Sequence, residues 1–305
     1  MKRSIVAIVV MLLLLSVIPA VASNGYDQSP RIAIISAFGA ELEAFKAQAT
    51  INKTVQLNGR TVYIGRLGGH DVLMTLSGVS MVNAAMSTQA VLDHFNVTEI
   101  VFSGIAGGVN PGLGIGDVVI PAKWSEYQEN RFVREMSPGV FQIPKNQALP
   151  CYTMMCPQSV SVASVNTPTD VETKTTWFNA DPGLLAVAKS IAGKVKLDRC
   201  TPTNVCLTIT PTVTVGGNGV AGPTFVDNAA YRAYAWSTWH ADALDMESSA
   251  VAHVATTNGV PFIIFRSLSD LAGGGPGQNE IGTFFSLAAS NSAKVMTKFI
   301  AALPK

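Results

Sequence analysis

Short apolar runs typical of β-strands alternate with amphipathic helical patterns along most of this chain. Such alternation indicates a sheet covered by helices, because a crossover between parallel strands needs a helix-sized connection. The predicted strands cover residues 31–37, 61–66, 71–76, 99–103, 116–121, 206–215 and 261–266, and the predicted helices cover residues 81–95, 182–192, 229–239, 248–255 and 284–303. We therefore predict a single α/β domain with a mixed, mostly parallel central sheet.

The composition is that of a globular protein without a charge bias. Of the 305 residues, 48% are apolar and 13% are charged, which is sufficient to bury a large core. With 21 basic and 20 acidic residues the net charge is +1, so the chain has no strong field to gather polyanions. We expect no nucleic-acid partner.

The first 23 residues have the pattern of a secretory signal peptide. Lys2 and Arg3 precede an apolar run at residues 5–15, and small residues at 20–23 suit a signal peptidase. A membrane anchor is the alternative, but the run is shorter than the span of about 20 residues that crosses a bilayer. We predict a mature chain at residues 24–305 that has no membrane partner and is extracellular or vacuolar.

Secretion affects how the cysteines and two asparagines are interpreted. An even number of cysteines in an oxidising compartment favours one or two disulfides, whose pairing stays open although the spacings weakly favour two local loops. A zinc site is the alternative, but structural zinc prefers more closely spaced pairs. Asn52 and Asn96 begin N-glycosylation patterns. The cysteines are Cys151, Cys156, Cys200 and Cys206.

Acidic residues lie at the ends of two predicted buried elements. Asp245-Met246-Glu247 precedes a helix of small and apolar residues, and Asp270 follows the apolar strand at residues 261–266. Open α/β sheets build their sites at the C-terminal ends of strands, and a buried carboxylate requires partners. A capping or turn role is the structural alternative. We interpret these acids as parts of a functional site.

Two further features, taken alone, favour a structural interpretation over a functional one. Glu41 follows the first strand at the predicted start of a helix, where the helix dipole favours an acid without any function, and Glu43 is the more exposed alternative. The glycines within residues 103–108 would let backbone amides approach a ligand, or would form a tight turn. This segment lacks the G-x-G-x-x-G order and the lysine of a P-loop, so it is not a dinucleotide fingerprint.

Other catalytic patterns are missing from the sequence. The histidines show no H-x-x-x-H pair and no evident carboxylate companion, so we interpret them as structural. No serine lies in a G-x-S-x-G elbow, and oxidised cysteines supply no thiolate. We expect carboxylate chemistry without a metal or a cofactor. The histidines are His70, His94, His240 and His253.

Three motifs resemble the purine nucleoside phosphorylase and uridine phosphorylase superfamily. They are residues 34–38 with Glu41, residues 103–108 with 116–119, and residues 245–250 with 269–270. The resemblance is strongest to the 5′-methylthioadenosine/S-adenosylhomocysteine nucleosidases and to their secreted plant relatives, the bark and vegetative storage proteins. It implies a three-layer α/β/α sandwich that forms a homodimer. Residues 124–206 have no counterpart and are interpreted as an irregular, cysteine-bearing insertion.

The resemblance divides the chemistry among three acids. Cleavage of a purine N-glycosidic bond passes through an oxocarbenium-like state, which needs an acid for the leaving base and negative charge near the sugar. Asp270 would protonate the purine at N7, Glu247 would hold the ribose hydroxyls, and Glu41 would orient the attacking water. A closed apolar pocket favours the protonated form of Asp270 that this role requires.

The resemblance also assigns the substrate contacts. Phe225 would stack on the base, unless it is ordinary core packing. Met246 would pack on the sugar, and Ser269 would support Asp270. The remaining substrate contacts are Phe38, Ala106, Gly107 and the backbone of Val226.

Hydrolysis is favoured over phosphorolysis, because no arginine adjoins the glycine-rich segment to bind phosphate, and Arg266 is better suited to pair with an acid. Ile281 stands where the family has an aromatic residue, which leaves the substrate range open. We predict a secreted purine nucleoside hydrolase-like protein that cleaves or binds adenine nucleosides of the methylthioadenosine type. The alternatives are a storage or defence protein, a binder of adenine- or cytokinin-type ligands with little turnover, and a nucleoside phosphorylase.

Overall fold

A mixed sheet of twelve strands forms the centre of the molecule, for which a computed structural model describes residues 26–305. Parallel pairings slightly outnumber antiparallel ones. The strands are β1 Arg31–Ser36, β2 Thr50–Leu57, β3 Arg60–Leu67, β4 His70–Leu76, β5 Val97–Gly108, β6 Val118–Ile120, β7 Lys123–Glu126, β8 Asn130–Phe132, β9 Glu135–Ser137, β10 Val140–Phe141, β11 Met155–Pro157, β12 Val160–Ala163, β13 Glu172–Thr175, β14 Phe178–Asn179, β15 Val213–Val215, β16 Asn218–Ala221, β17 Ala241–Asp245 and β18 Phe262–Asp270.

Within residues 26–305, six helices accompany the sheet. They are α1 Gly39–Lys46, α2 Met81–His94, α3 Pro182–Ala192, α4 Ala229–Trp239, α5 Ser248–Thr257 and α6 Ile281–Ile300. Helices α1 and α3 pack against α6, which covers β5 and β18, whereas α2 packs against α5, which covers β7 and β16. The predicted three-layer α/β/α sandwich with a mixed central sheet is confirmed.

The strands β5 and β18 run parallel through the middle of the sheet. From Ile100 and Phe262 onward, every residue of both strands is buried. The apolar runs at residues 100–102 and 262–265 are expected for strands with helices on both faces, whereas the polar residues lie in the later part of each strand. Their register pairs Leu268 with Ala106 and Asp270 with Gly107, so the C-terminal ends of both strands reach the same place.

The alternative of a tight turn at residues 103–108 is wrong, because these residues continue β5. They are held in extended conformation by pairing with β18 and, at Gly107 and Gly108, with β17. A Cβ atom on Gly104 would lie 2.4 Å from Arg266 Nη1 and 2.7 Å from Glu41 Oε1. The glycine is therefore required by the side chains packed against the strand.

Other predicted boundaries also differ from the structure. The strand predicted at residues 206–215 is limited to β15, since Cys206 is instead held in a local bridge with Cys200. The strand predicted at residues 261–266 continues to Asp270 because its pairing with β5 continues. Strand β2 was not predicted, because it is an edge strand with most residues exposed and lacks a buried apolar face.

Residues 124–206 are only partly irregular. Strands β7 and β14 join the central sheet, and β8–β13 form three two-stranded sheets. Disulfides connect Cys151 to Cys156 and Cys200 to Cys206, which is the local pairing that the spacings favoured. The division into a signal peptide and one domain remains a prediction.

Three sequence predictions concern the N-terminal segment, glycosylation and the membrane. The predicted signal peptide at residues 1–23 lies outside the described residues. Asn52 and Asn96 are both exposed, and their glycosylation remains a prediction. Within residues 26–305, none of the helices combines the length and apolar character needed to cross a membrane.

Candidate active site

A mostly apolar cleft opens at the C-terminal ends of β5 and β18, beside the segment that follows β17. All but one of the residues predicted for catalysis and substrate binding line it. They are Phe38, Ala106, Gly107, Phe225, Val226, Met246, Glu247, Ser269 and Asp270. The exception is Glu41.

Glu247 lies at the N-terminus of α5, where the chain leaves β17. Its Oε1 accepts a hydrogen bond of 2.8 Å from the Ser80 amide, and its Oε2 lies 3.3 Å from Arg266 Nη2. The side chain is nearly enclosed, and burial raises the pKa of Glu247, opposed mainly by the positive charge of Arg266. The cleft therefore contains a carboxylate whose position is fixed by two donors.

Asp270 is the last residue of β18 and is also buried. Its Oδ2 accepts a hydrogen bond of 2.9 Å from Ser269 Oγ, and its Oδ1 accepts one of 2.8 Å from the Ala272 amide. Burial raises the pKa of Asp270, while these donors oppose the shift. A carboxyl group with a raised pKa, at the edge of an apolar cleft, can act as a general acid.

Glu41 lies behind the wall of the cleft and is 1% exposed. Its Oε2 accepts hydrogen bonds of 3.0 Å from the Ala37 and Phe38 amides, and its Oε1 accepts one of 3.0 Å from the Ile105 amide. Burial, more than any other cause, raises the pKa of Glu41 to about 7. Glu41 thus ties the start of α1 to β5, and all three of its described hydrogen bonds come from backbone amides.

Arg266 is completely buried behind Glu247. Its Nε lies 2.8 Å from Asp245 Oδ2, and its Nη1 donates a 2.9 Å hydrogen bond to the Ile105 carbonyl. The guanidinium also lies 4.5 Å from the centroid of the Phe102 ring. The expectation that Arg266 pairs with acids is confirmed.

The two ends of the cleft differ in character. At one end, Phe225 is 52% exposed, whereas the next residue, Val226, is buried. At the other end, Phe38 packs edge-on against Phe285 with ring centroids 5.3 Å apart, and Ile281 completes the apolar lining. An exposed aromatic face suits a planar base, and the opposite end suits an apolar substituent.

Sequence reasoning missed several lining residues. Asp245 was noted but received no role, although its Oδ1 accepts hydrogen bonds from the Glu247 and Ser248 amides and so shapes the start of α5. Its position two residues before Glu247 was the available signal. The others, which carry no chemical motif, are Val79, Ile105, Thr224 and Leu244.

One of the four histidines differs from the prediction. His253 has a carboxylate companion, because its Nδ1 lies 2.7 Å from Glu126 Oε1. The pair joins α5 to β7, two elements that come together only in the folded chain. Neither residue lines the cleft, and among residues 26–305 no three histidine, cysteine, aspartate or glutamate side chains form a metal-binding group.

Comparison with known proteins matches most of the chain. The phosphorylase superfamily model matches residues 31–301. A 5′-methylthioadenosine/S-adenosylhomocysteine nucleosidase of Tolumonas auensis is 26% identical over 270 residues, covering 88% of this chain and 98% of the relative.

Two solved structures share the fold. The 5′-methylthioadenosine/S-adenosylhomocysteine nucleosidase of Neisseria meningitidis, in complex with methylthio-immucillin-A, matches with a TM-score of 0.66 and 24% identity, covering 90% of this chain and 99% of that chain. The futalosine hydrolase of Helicobacter pylori matches with a TM-score of 0.65 and 20% identity, covering 90% of this chain and 98% of that chain.

Proposed function

The chain belongs to the phosphorylase superfamily, and we propose that it is a purine nucleosidase that hydrolyses adenine nucleosides of the 5′-methylthioadenosine type. The observation that carries the proposal is that Asp270, a buried acid with a raised pKa, shares one cleft with the fixed carboxylate of Glu247. The similarity to nucleosidases over nearly the whole chain supports the same reaction class.

The reaction needs opposite electrostatic properties at the base and at the sugar. Protonation of N7 by Asp270 would make the purine a better leaving group as the glycosidic bond breaks. The negative charge of Glu247 would stabilise the developing oxocarbenium ion and accept hydrogen bonds from the ribose hydroxyls. Phe225 would stack on the base, and the apolar end near Ile281 would receive the 5′ substituent.

Water is favoured over phosphate as the nucleophile. Arg266 is the cation nearest to Glu247, but it is buried and already contacts Asp245, Glu247 and the Ile105 carbonyl. Phosphate binding would require a cation that is free to face the cleft. None of the residues that line the cleft is a lysine or an arginine.

A binder of adenine-type ligands with little turnover is the second candidate. The position of Glu41 favours it, because its carboxylate lies behind the cleft and accepts three backbone hydrogen bonds. Glu41 would orient the attacking water only if the site rearranges around the substrate. A storage or defence role would be compatible with such a protein.

The proposed cellular setting and oligomeric state rest on the sequence alone. We propose that cleavage after residue 23 sends the mature chain into the secretory pathway, and that it forms a homodimer. N-terminal sequencing of the mature protein would test the first proposal, and ultracentrifugation would test the second.

A substrate panel tests the reaction class. The mature protein would be incubated with methylthioadenosine, S-adenosylhomocysteine, adenosine and inosine, with and without phosphate, and free base would be measured. We expect phosphate-independent release of adenine, fastest from methylthioadenosine. Release that requires phosphate would overturn hydrolysis, and adenine binding without any release would establish the second candidate.

A further inference from the structure

The segment between β18 and α6 contains an asparagine whose side chain contacts two residues that line the cleft and a third that adjoins it. Asn279 belongs to the glycine-rich residues 271–280, which leave the cleft at Asp270 and return to it at Ile281. Its Oδ1 accepts a 3.0 Å hydrogen bond from the Ile281 amide. Because an amide oxygen accepts and its nitrogen donates, this contact determines the orientation of the group. The Nδ2 atom must therefore face the other way.

The Nδ2 atom of Asn279 faces two carboxylates. It lies 3.1 Å from Asp227 Oδ1 and 3.4 Å from Asp270 Oδ1. An amide nitrogen carries two hydrogens and can serve both acceptors. The longer contact is of the kind that tightens when substrate closes a site. Asp227 directly follows Val226, so the asparagine joins the proposed acid to the segment that lines the base end.

The surroundings explain why a neutral donor stands at this position. Glu280 adds a third carboxylate, whose Oε2 accepts a 3.3 Å hydrogen bond from the Leu271 amide. Arg232 of α4 is the nearby cation, and its Nε donates to the Gly108 carbonyl. A carboxylate in place of Asn279 would face Asp227 and Asp270 at short range and repel both.

We propose that Asn279 is a positioning residue that holds the carboxyl group of Asp270 and the base end of the cleft in one arrangement. This inference rests on the proposed function, since it assigns Asp270 to the purine. The amide would stabilise the ionised form of Asp270, so its removal raises the pKa of that acid. The cleft would then keep its proton donor to higher pH but orient it less well.

The test compares Asn279→Leu and Asn279→Asp with Gln278→Leu. Gln278 is the exposed neighbour and makes no side-chain hydrogen bond among the described residues, so it controls for changes in the segment itself. Release of adenine from methylthioadenosine would be measured as a function of pH for each variant. Adenine binding would be measured by calorimetry.

For Asn279→Leu we expect kcat to fall roughly tenfold, as for a misplaced general acid, with the alkaline limb of its pH profile moved to higher pH. Asn279→Asp should move that limb further, and Gln278→Leu should match the wild type. The positioning role is overturned if the wild type is active and Asn279→Leu has the same alkaline limb as the wild type, whatever its loss of rate.

Failure of the proposed function has a different signature. If the wild type releases no base but binds adenine, the role of Asn279 is then tested by affinity, and weaker binding in Asn279→Leu than in Gln278→Leu supports it. Equal affinities overturn it. A wild type that neither releases nor binds adenine overturns both proposals.

Discussion

Arg266 and Asp245 form a buried ion pair at the wall of the cleft, with Nε 2.8 Å from Oδ2 and the two side chains 1% and 3% exposed. Asp245 in turn accepts hydrogen bonds from the Glu247 and Ser248 amides at the start of α5. The pair thereby connects β18, which carries Asp270, to the helix terminus that carries Glu247. Its loss should affect both folding and the geometry of the site.

Replacing Arg266 with methionine should destabilise the protein by about 3–5 kcal/mol, because it leaves the carboxylates of Asp245 and Glu247 buried without their cation. Urea unfolding measures the change. Arg66→Met is the control, since Arg66 is 58% exposed and lies 3.6 Å from Asp71 at the surface. This control should stay within about 0.5 kcal/mol of the wild type. Similar losses in the two variants would contradict the buried ion-pair account.

Glu41 should make stability depend on pH. Its pKa rises from 4.5 to about 7 on folding, so the folded state binds more protons than the unfolded state between these values. The contribution of Glu41 to the free energy of unfolding is fully present below pH 4.5 and is lost as pH rises through 7. The change is about 3 kcal/mol. Unfolding measured across this range should show a flatter dependence for Glu41→Gln than for the wild type.

The control for this prediction is Glu43→Gln, which removes an exposed acid from the same helix. It should retain the slope of the wild type. An undiminished slope in Glu41→Gln would mean that Glu41 is ionised in the folded protein. The raised pKa values of Glu247 and Asp270 act in the same direction, so some slope should persist in every variant.

Phe225 should contribute to substrate binding and hardly at all to stability. The residue is 52% exposed, so Phe225→Ala should change the free energy of unfolding by less than about 0.5 kcal/mol. Loss of stacking on the base should raise KM for adenine nucleosides roughly 10-fold, consistent with about 1–3 kcal/mol per stacked base. Steady-state kinetics would check this, with Phe132→Ala as the control because Phe132 is 65% exposed and does not line the cleft. Equal KM values in the two variants would count against stacking.

The disulfides should matter for stability and not for chemistry. Each closes a loop with a sequence separation of 5 or 6, and replacing one pair with serines should cost about 2 kcal/mol. None of the four cysteines lines the cleft, so kcat/KM should be unchanged. The two double variants, Cys151→Ser with Cys156→Ser and Cys200→Ser with Cys206→Ser, serve as controls for each other. A large loss of activity in a folded variant would indicate that residues 124–206 contribute to the site.

Regular periodicity made much of the fold predictable. The helix predicted at residues 229–239 matches α4, and the helix predicted at 81–95 matches α2 to within one residue. Strand β2 was not predicted, because an exposed edge strand has no apolar alternation. The strand character of residues 104–108 was not predicted, because it depends on pairing with β18 and β17, which the local sequence does not encode.

The site residues that lie next to the predicted buried elements could be predicted from the sequence. Asp270 and Glu247 lie next to buried apolar runs, and the topology of α/β sheets brings such positions together. The position of Glu41 behind the cleft was not predictable, because it depends on a hydrogen bond from Ile105, 64 residues away along the chain. Asn279 was missed since it lies in a loop with no motif, and its partners come from two other segments.

The role of Asp270 is tested most directly by comparing adenine release from methylthioadenosine in the wild type and in Asp270→Asn. The asparagine variant keeps the size of the side chain but cannot donate a carboxylic acid proton to N7. Without phosphate, we expect the wild type to release adenine and Asp270→Asn to be slower by roughly 10²–10⁴-fold, while the folded variant still binds adenine. Equal rates of release in the two proteins would contradict the assignment of Asp270 as the acid on which the proposed nucleosidase depends.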